Sequence, residues 1–405
     1  MIIQIQKSQP VDTKQFALFN LGFRPFFLGA GVFAVVSMLA WMFVYAFHGA
    51  VSVRHMSVSQ WHAHEMLYGY GMAVVAGFLL TAVKNWTGIP TVYGKPLMLL
   101  FTLWCAARVL FLFGTDFLAW AAAADLLFGL FLIIAIAKPI IKAKQWMQFA
   151  VVGKVTLLWV GNLVFFLGCY GVLNSGMLYA INGAVLLFIG LILTIGRRVI
   201  PFFIERGVEA RVQLKQYKWL DLSIMVLFFA LFLSVVFIQA PRLTALLAFT
   251  LFAVNGYRLF NWYAVGIWRV ALLWSLYLSA WLINVGFLFY GFQTIGLPAQ
   301  YSGSSILALH VFTIGGIGLM TLAMMARVSL GHTGRDIRKP SRWMGFAFAG
   351  LVASVVLRAL VPVVTIQFYT SWVLFAAILW ILSFAIFVVI YAPILWRSRV
   401  DGTFG

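Results

Sequence analysis

The chain has 405 residues, of which 64% are hydrophobic and only 9% are charged, and its formal net charge is +19. Soluble domains carry about 25% charged residues, so a water-soluble fold is excluded and most of the surface must face lipid. The cations lie in connections between apolar segments and not in a basic soluble domain, which argues against nucleic acid as a partner.

Twelve apolar segments predict an all-α polytopic membrane protein, since about 20 apolar residues cross a bilayer once. We expect a single transmembrane domain over residues 1–405, with a polar segment at 1–25 and a tail at 393–405. The predicted spans are 26–47, 61–83, 97–114, 117–137, 149–172, 176–196, 220–239, 243–260, 270–293, 303–327, 344–365 and 370–392.

The distribution of the 28 Lys and Arg residues predicts the orientation of the spans. Most of these cations lie in the N-terminal segment and in the connections that follow even-numbered spans. The odd-numbered connections contain only Arg54 and Arg242, while Arg108, Lys154 and Arg358 lie within spans. Because cytoplasmic loops are enriched in Lys and Arg, both termini are expected in the cytoplasm.

Span 2 and the loop before it carry most of the histidines. His48 and His55 lie in the first outer loop, and His62, His64 and Glu65 begin span 2 near the outer surface. Two residues correspond to about 200° around an α-helix. His62 and His64 are therefore expected to face opposite ways and not to share one metal.

Further polar residues fall in the outer halves of later spans. Arg108 in span 3 and Asp125 in span 4 either pair with each other or serve a cofactor, and His310 begins span 10. Arg358 lies near the outer end of span 11. His332 is about 33 Å from His310 along a straight helix and cannot join an outer site.

Ionisable groups inside a bilayer are costly and usually functional, and imidazole is the commonest side-chain metal ligand. The outer histidines therefore favour a metal or haem site in the outer leaflet. The alternative is that these histidines are hydrogen-bond partners between helices. In a haem site, Arg108, Arg54 or Arg358 would meet propionates, because Arg binds carboxylates well. Glu65 and Asp125 would form a proton relay or a polar cluster.

Spans 2 and 10 contain a weak internal repeat. Residues 64–88 and 310–334 align without gaps, with coincident histidines (His64, His310), one coincident glycine (Gly69, Gly315) and a closing Thr-Gly. Span 6 is the next candidate for a related segment, because spans 2, 6 and 10 are four spans apart. This spacing is consistent with three four-helix units around a pseudo-threefold axis.

Four stretches carry a resemblance to a known family. They are GFRPFF (22–27), WHAHEMLYGYGMAVVAGFLLTAVKNWTG (61–88), GRRVIPFF (196–203) and LHVFTIGGIGLMTLAMMARVSLGHTGR (309–335). The sequence resembles the NnrS family of bacterial membrane proteins. The resemblance implies a haem- and copper-containing inner-membrane protein of twelve helices, associated with denitrification and with resistance to nitric oxide.

There is a weaker resemblance to the haem–copper oxidases and nitric oxide reductases, which also have twelve helices and place low-spin haem ligands on helices 2 and 10. Spans 6 and 7 here contain no histidine. The three-histidine copper site of those enzymes therefore cannot be assembled.

Three functions remain open from the sequence. The leading hypothesis is a b-type haem held by His310 and by His62 or His64, with nitric oxide or another small gas as a ligand. Copper would use His48, His55, Met56, the remaining histidine of span 2, or His332, since imidazole and thioether suit copper.

The alternatives are a transporter of metal, haem or a small solute, and a quinol-linked oxidoreductase that consumes nitric oxide. The sequence does not decide whether the protein is an enzyme, and it leaves the oligomeric state open.

Overall fold

The computed structural model describes residues 16–47, 56–296, 305–365 and 367–405. Within these residues, twelve helices are long and apolar enough to cross a membrane, which confirms the predicted all-α architecture. The protein is a multi-pass membrane protein. The helices are α1 (Phe23–Ala46), α2 (Val58–Thr87), α3 (Lys95–Leu112), α4 (Thr115–Lys142), α5 (Trp146–Cys169), α6 (Gly176–Gly207), α7 (Lys218–Ile238), α8 (Pro241–Asn261), α9 (Ala271–Thr294), α10 (Leu307–His332), α11 (Arg342–Val364) and α12 (Tyr369–Trp396).

Local sequence signals set the ends of α2. A capping box precedes it: the Ser57 hydroxyl accepts a hydrogen bond from the backbone N–H of Gln60 at 3.2 Å, and the Ser57 N–H donates to the Gln60 side chain at 2.7 Å. The helix stops at Gly88, whose φ of +69° is left-handed. Glycine reaches that conformation without the steric cost of a Cβ atom.

Several helices run past their predicted ends. Helix α6 continues to Gly207 through Arg197 and Arg198, and α12 continues to Trp396. Hydropathy detects only the stretch that lies in hydrocarbon, while backbone hydrogen bonds extend a helix beyond it. The end of α12 is also capped from α1, because Nη1 of Arg24 donates to the carbonyl of Leu395 at 2.8 Å and to that of Arg397 at 2.7 Å.

Helices α2, α6 and α10 form the centre of the bundle and contact one another. Their most apolar windows are 83%, 61% and 72% buried, against 22–56% for the other nine helices. The other nine therefore surround this trio and supply the lipid-facing surface. We refer to the end of the bundle where the even-numbered helices begin as the far end, and to the opposite end as the near end.

Both halves of the internal repeat contain a π-helical segment. In α2 it spans Glu65–Gly71 and directly follows His64, and in α10 it spans Val311–Gly318 and directly follows His310. The aligned closing glycines, Gly88 and Gly334, both have positive φ, +69° and +74°. The match of α2 with α10 therefore extends from four sequence identities to a shared backbone irregularity.

Candidate functional site

His62 and His64 lie on opposite sides of α2, as the 200° separation predicts. The segment that carries them is regular α-helix, Val58–His64. His62 lines a cavity on one side, whereas His64 is completely buried on the other side among hydrogen-bond partners. The two imidazoles therefore serve different sites.

The cavity lies in the far-end half of the bundle and measures about 230 Å³. Six helices line it: α1, α2, α6, α10, α11 and α12. His62 comes from α2, His310 from α10 and Arg358 from α11. Three of the predicted site residues, distant in sequence, therefore share one cavity.

His62 has an unused ring nitrogen. Its Nδ1 atom is buried and has no hydrogen-bond partner among the described residues. Its ring stacks on the indole of Trp41, with centroids 4.5 Å apart and planes 24° apart. A buried polar atom without a partner costs free energy. His62 therefore combines a buried nitrogen that has no partner among the described residues with a place in the cavity wall.

Irregular backbone places the other two polar side chains of the cavity, those of His310 and Arg358. His310 ends a short α-helical turn and is followed at once by the π segment of α10. Arg358 lies within a π segment of α11, Val356–Leu360, and its Nη1 donates to the hydroxyl of Tyr369 at 2.9 Å. π-Helical segments are frequent at functional sites.

A polar network lies beside the cavity, on the other face of α2. Nη1 of Arg108 lies 2.6 Å from Oε1 of Glu65, and Nη2 lies 2.6 Å from Oδ1 of Asp125. All three side chains are at most 4% exposed. Of the two roles expected for Arg108 and Asp125, the structure shows mutual pairing.

His64 and Asn162 complete this network. Nδ1 of His64 hydrogen-bonds Oε1 of Glu65 and Nε2 hydrogen-bonds Oδ1 of Asn162, each at 2.9 Å. The side-chain amide of Asn162 donates to Oδ2 of Asp125, also at 2.9 Å. Both ring nitrogens of His64 are thus engaged, and aromatic rings enclose it, including Phe111 and Phe165 at centroid distances of 4.9 and 4.5 Å.

Other predicted site residues lie elsewhere. His332 ends α10 at the near end, where its ring packs on Phe23 with centroids 5.7 Å apart. Met56 is buried in a small apolar cluster with Trp61 and Phe111. His48, Arg54 and His55 lie outside the described residues.

Two contributors to these sites were missed from the sequence. Asn162 is the polar residue of an apolar stretch of α5, so its intramembrane position was a usable signal. Trp41 carried no such signal, because aromatic residues are abundant in this chain and only the fold brings one against His62. In the part of the chain that the structure describes, no three His, Cys, Asp or Glu side chains assemble into a metal site.

Comparison with protein families matches the family described as NnrS protein over residues 17–399 of this chain. The match includes α1 to α12 and all four stretches that carry the resemblance. No curated protein matches the chain significantly.

Proposed function

Because the chain belongs to the NnrS family, we propose that it binds haem b in the bacterial inner membrane and acts in the response to nitric oxide and nitrosative stress. The NnrS family is a haem and copper protein family. The haem would occupy the far-end cavity. Bound there, it would supply an iron centre for electron transfer.

The unpartnered Nδ1 of His62 supports this proposal most directly. His62 and His310 approach the same cavity from different central helices. We therefore assign His62 and His310 as the ligands and leave His64 to its network, where both of its ring nitrogens are already bonded.

Arg358 is the proposed partner of a haem propionate. It lines the cavity, whereas Arg108 is already held between Glu65 and Asp125. Arg binds carboxylates through paired N–H donors. The cavity of about 230 Å³ is smaller than typical ligand pockets of about 300–1,000 Å³. Haem entry would therefore move some lining side chains, and Trp41 lies at the wall beside His62.

We also propose the orientation that the cation distribution predicts. With both termini in the cytoplasm, the far end faces outward and the cavity lies in the outer half of the membrane.

Copper as a second metal is proposed from family membership. His48 and His55, in the segment that precedes α2, are its candidate ligands, and His332 at the near end is a separate candidate. Met56 is already packed among apolar side chains.

The test is the absorption spectrum, extractable haem and metal content of the purified protein and of three variants. We expect a Soret band in the wild type and its loss in His62→Ala and in His310→Ala. His332→Ala is the matched control, because it removes a histidine from the same helix as His310 at the opposite end. This control should keep its haem.

Wild-type protein that folds without haem would contradict the proposal and would favour the transporter alternative. Variants at His62 and His310 that both keep the native spectrum would contradict the ligand assignment. In each case the protein is checked for a single monodisperse peak in detergent before haem is measured.

A further inference from the structure

Four arginines are buried in the part of the chain that the structure describes, each at most 4% exposed: Arg24, Arg108, Arg258 and Arg327. Arg24 donates to backbone carbonyls, and Arg108 and Arg258 pair with carboxylates. Arg327 makes no hydrogen bond and no ion pair with any described residue. A buried charge is costly unless a partner compensates it. Arg327 is therefore the one arginine of this set whose charge no described residue compensates.

The contact that Arg327 does make is with an aromatic ring. The central carbon of its guanidinium lies 3.8 Å from the ring centroid of Phe203 on α6. Cation–π attraction stabilises a guanidinium on a ring, but it takes up none of the five N–H donors. The structure seals Nε of Arg24 and Nε of Arg258 from solvent, but it seals no nitrogen of Arg327. The donors of Arg327 therefore face accessible space.

The depth of Arg327 indicates which kind of anion would reach it. Helix α10 has 26 residues, so it is about 39 Å long at 1.5 Å per residue, whereas the hydrocarbon core is about 30 Å thick. Both ends of the helix therefore extend toward the headgroup layer. Arg327 and Phe203 lie within the last two turns of α10 and α6, which end at His332 and Gly207. Their side chains thus lie at the boundary between hydrocarbon and headgroups, where lipid phosphates are found.

The helices leave an opening beside Arg327. Ile200 and Met324 line an apolar space that is half open to the surface of the bundle, and Phe203 and Arg327 follow them by three residues on α6 and α10. Residues three apart lie on one face of a helix. The guanidinium therefore lies at the near-end margin of this opening.

We propose that Arg327 forms an anion site that binds a phosphate group, either that of an anionic lipid headgroup or free phosphate. The paired N–H donors of an arginine match two phosphate oxygens. The phosphate supplies the charge and the acceptors that the described residues do not, while Phe203 holds the guanidinium from its other side. The site lies at the opposite end of α10 from His310, and its occupation needs no haem.

The test uses two probes, phosphatidylglycerol and inorganic phosphate, on the full chain purified in detergent and freed of lipid. Native mass spectrometry measures lipid binding, and the unfolding temperature measures the effect of each probe. The wild type is expected to bind one phosphatidylglycerol more tightly than any further copies and to be stabilised by it. Stabilisation by inorganic phosphate at the same site would identify free phosphate as the ligand.

Arg327→Met removes the charge and the donors while keeping an unbranched side chain. It should weaken binding of the tight equivalent by about 10–100-fold, as expected for a hydrogen bond to a charged group. In the protein freed of lipid, the same change should raise the unfolding temperature, because it removes a buried charge without a partner.

Arg206→Met is the matched control. Arg206 also lies near a ring at the near end of α6, 5.9 Å from the centroid of Phe202, but it is exposed. Its removal takes away the same charge from the same end of the bundle. Binding of the tight equivalent should be unchanged.

The proposal is overturned if neither probe stabilises the wild type, or if the wild type and Arg327→Met bind equally well. An effect of Arg206→Met as large as that of Arg327→Met would also overturn it, because binding would then reflect the overall positive charge of the near end. If Arg327→Met does not fold, Arg327→Gln makes the same comparison, and the wild-type titrations alone decide whether a phosphate binds. None of these measurements involves haem, so failure here would leave the haem proposal standing.

Discussion

His64 and His310 occupy equivalent positions in α2 and α10, each as the last residue before a π-helical segment. The equivalence does not extend to their surroundings. His310 lines the far-end cavity, while His64 is enclosed in the network with Glu65 and Asn162. The imidazole that α2 brings to the cavity is that of His62, two residues before the repeat position.

His64→Ala should lower stability without removing haem from the protein that folds. The change removes the His64 hydrogen bonds of Glu65 and Asn162, which keep only Arg108 and Asp125 as partners. A polar group left unsatisfied in a buried site costs about 1–3 kcal/mol. Thermal unfolding in detergent measures the stability, and the ratio of haem to protein measures the site. Folded His64→Ala protein that lacks haem would show that His64, and not His62, is the ligand.

Arg108→Met should be the most destabilising single change in the network. It leaves Glu65 and Asp125 buried without a cation, and breaking a buried ion pair in this way costs about 3–5 kcal/mol. The triple variant Arg108→Met with Glu65→Gln and Asp125→Asn removes the uncompensated charge and should regain much of the loss. Thermal unfolding of both variants is the measurement. A triple variant no more stable than the single one would contradict the electrostatic explanation.

Gly69→Ala should disturb the same network from the backbone side. An added Cβ would lie 2.6 Å from Nη1 of Arg108 and 2.7 Å from the ring of Phe33. The Arg108 side chain would have to move away from Glu65. Gly153→Ala on α5 is the control, because nothing lies within 4 Å of its added Cβ. That control should gain up to about 1 kcal/mol from helix propensity, so the two unfolding temperatures should shift in opposite directions.

Arg358→Gln should keep the Soret position of the wild type but lose haem faster. A hydrogen bond to a charged group contributes about 1.5–3 kcal/mol, and the proposed propionate contact would lose it. Transfer of haem to a haem-free globin gives the rate of loss. Arg342→Gln, an exposed change at the other end of α11, is the control. Equal transfer rates for wild type and Arg358→Gln would rule out the propionate role.

The sequence predicts the twelve helices because hydropathy reports directly on the length of apolar chain that crosses a bilayer. It also predicts that His62 and His64 face apart, since that inference needs only the α-helical repeat over two residues. The extension of α6 through Arg197 and Arg198 was not predicted, because charges at a span end resemble a loop in any hydropathy profile. The π segments were not predicted either, because no hydropathy or periodicity signal marks them in the sequence.

The sequence predicts which residues belong to the site better than it predicts which of them lie together. Intramembrane position alone indicated His62, His310, Arg108, Asp125 and Arg358. It could not divide them between a cavity and a neighbouring ion network, because that division depends on which face of each helix turns toward which neighbour. Trp41 became recognisable only once α1 was packed against α2.

The π segment of α2 has a consequence for how the chain could change by insertion or deletion. Each residue of an α-helix turns the chain by about 100°, and a π segment accommodates one extra residue without breaking the helix. Deleting a single residue between Glu65 and Gly71 would let α2 close into uninterrupted α-helix. Everything before the deletion would then rotate by about a quarter turn relative to the near-end half, and His62 would swing out of register with His310. A one-codon loss that removes neither histidine would thus separate the pair of imidazoles.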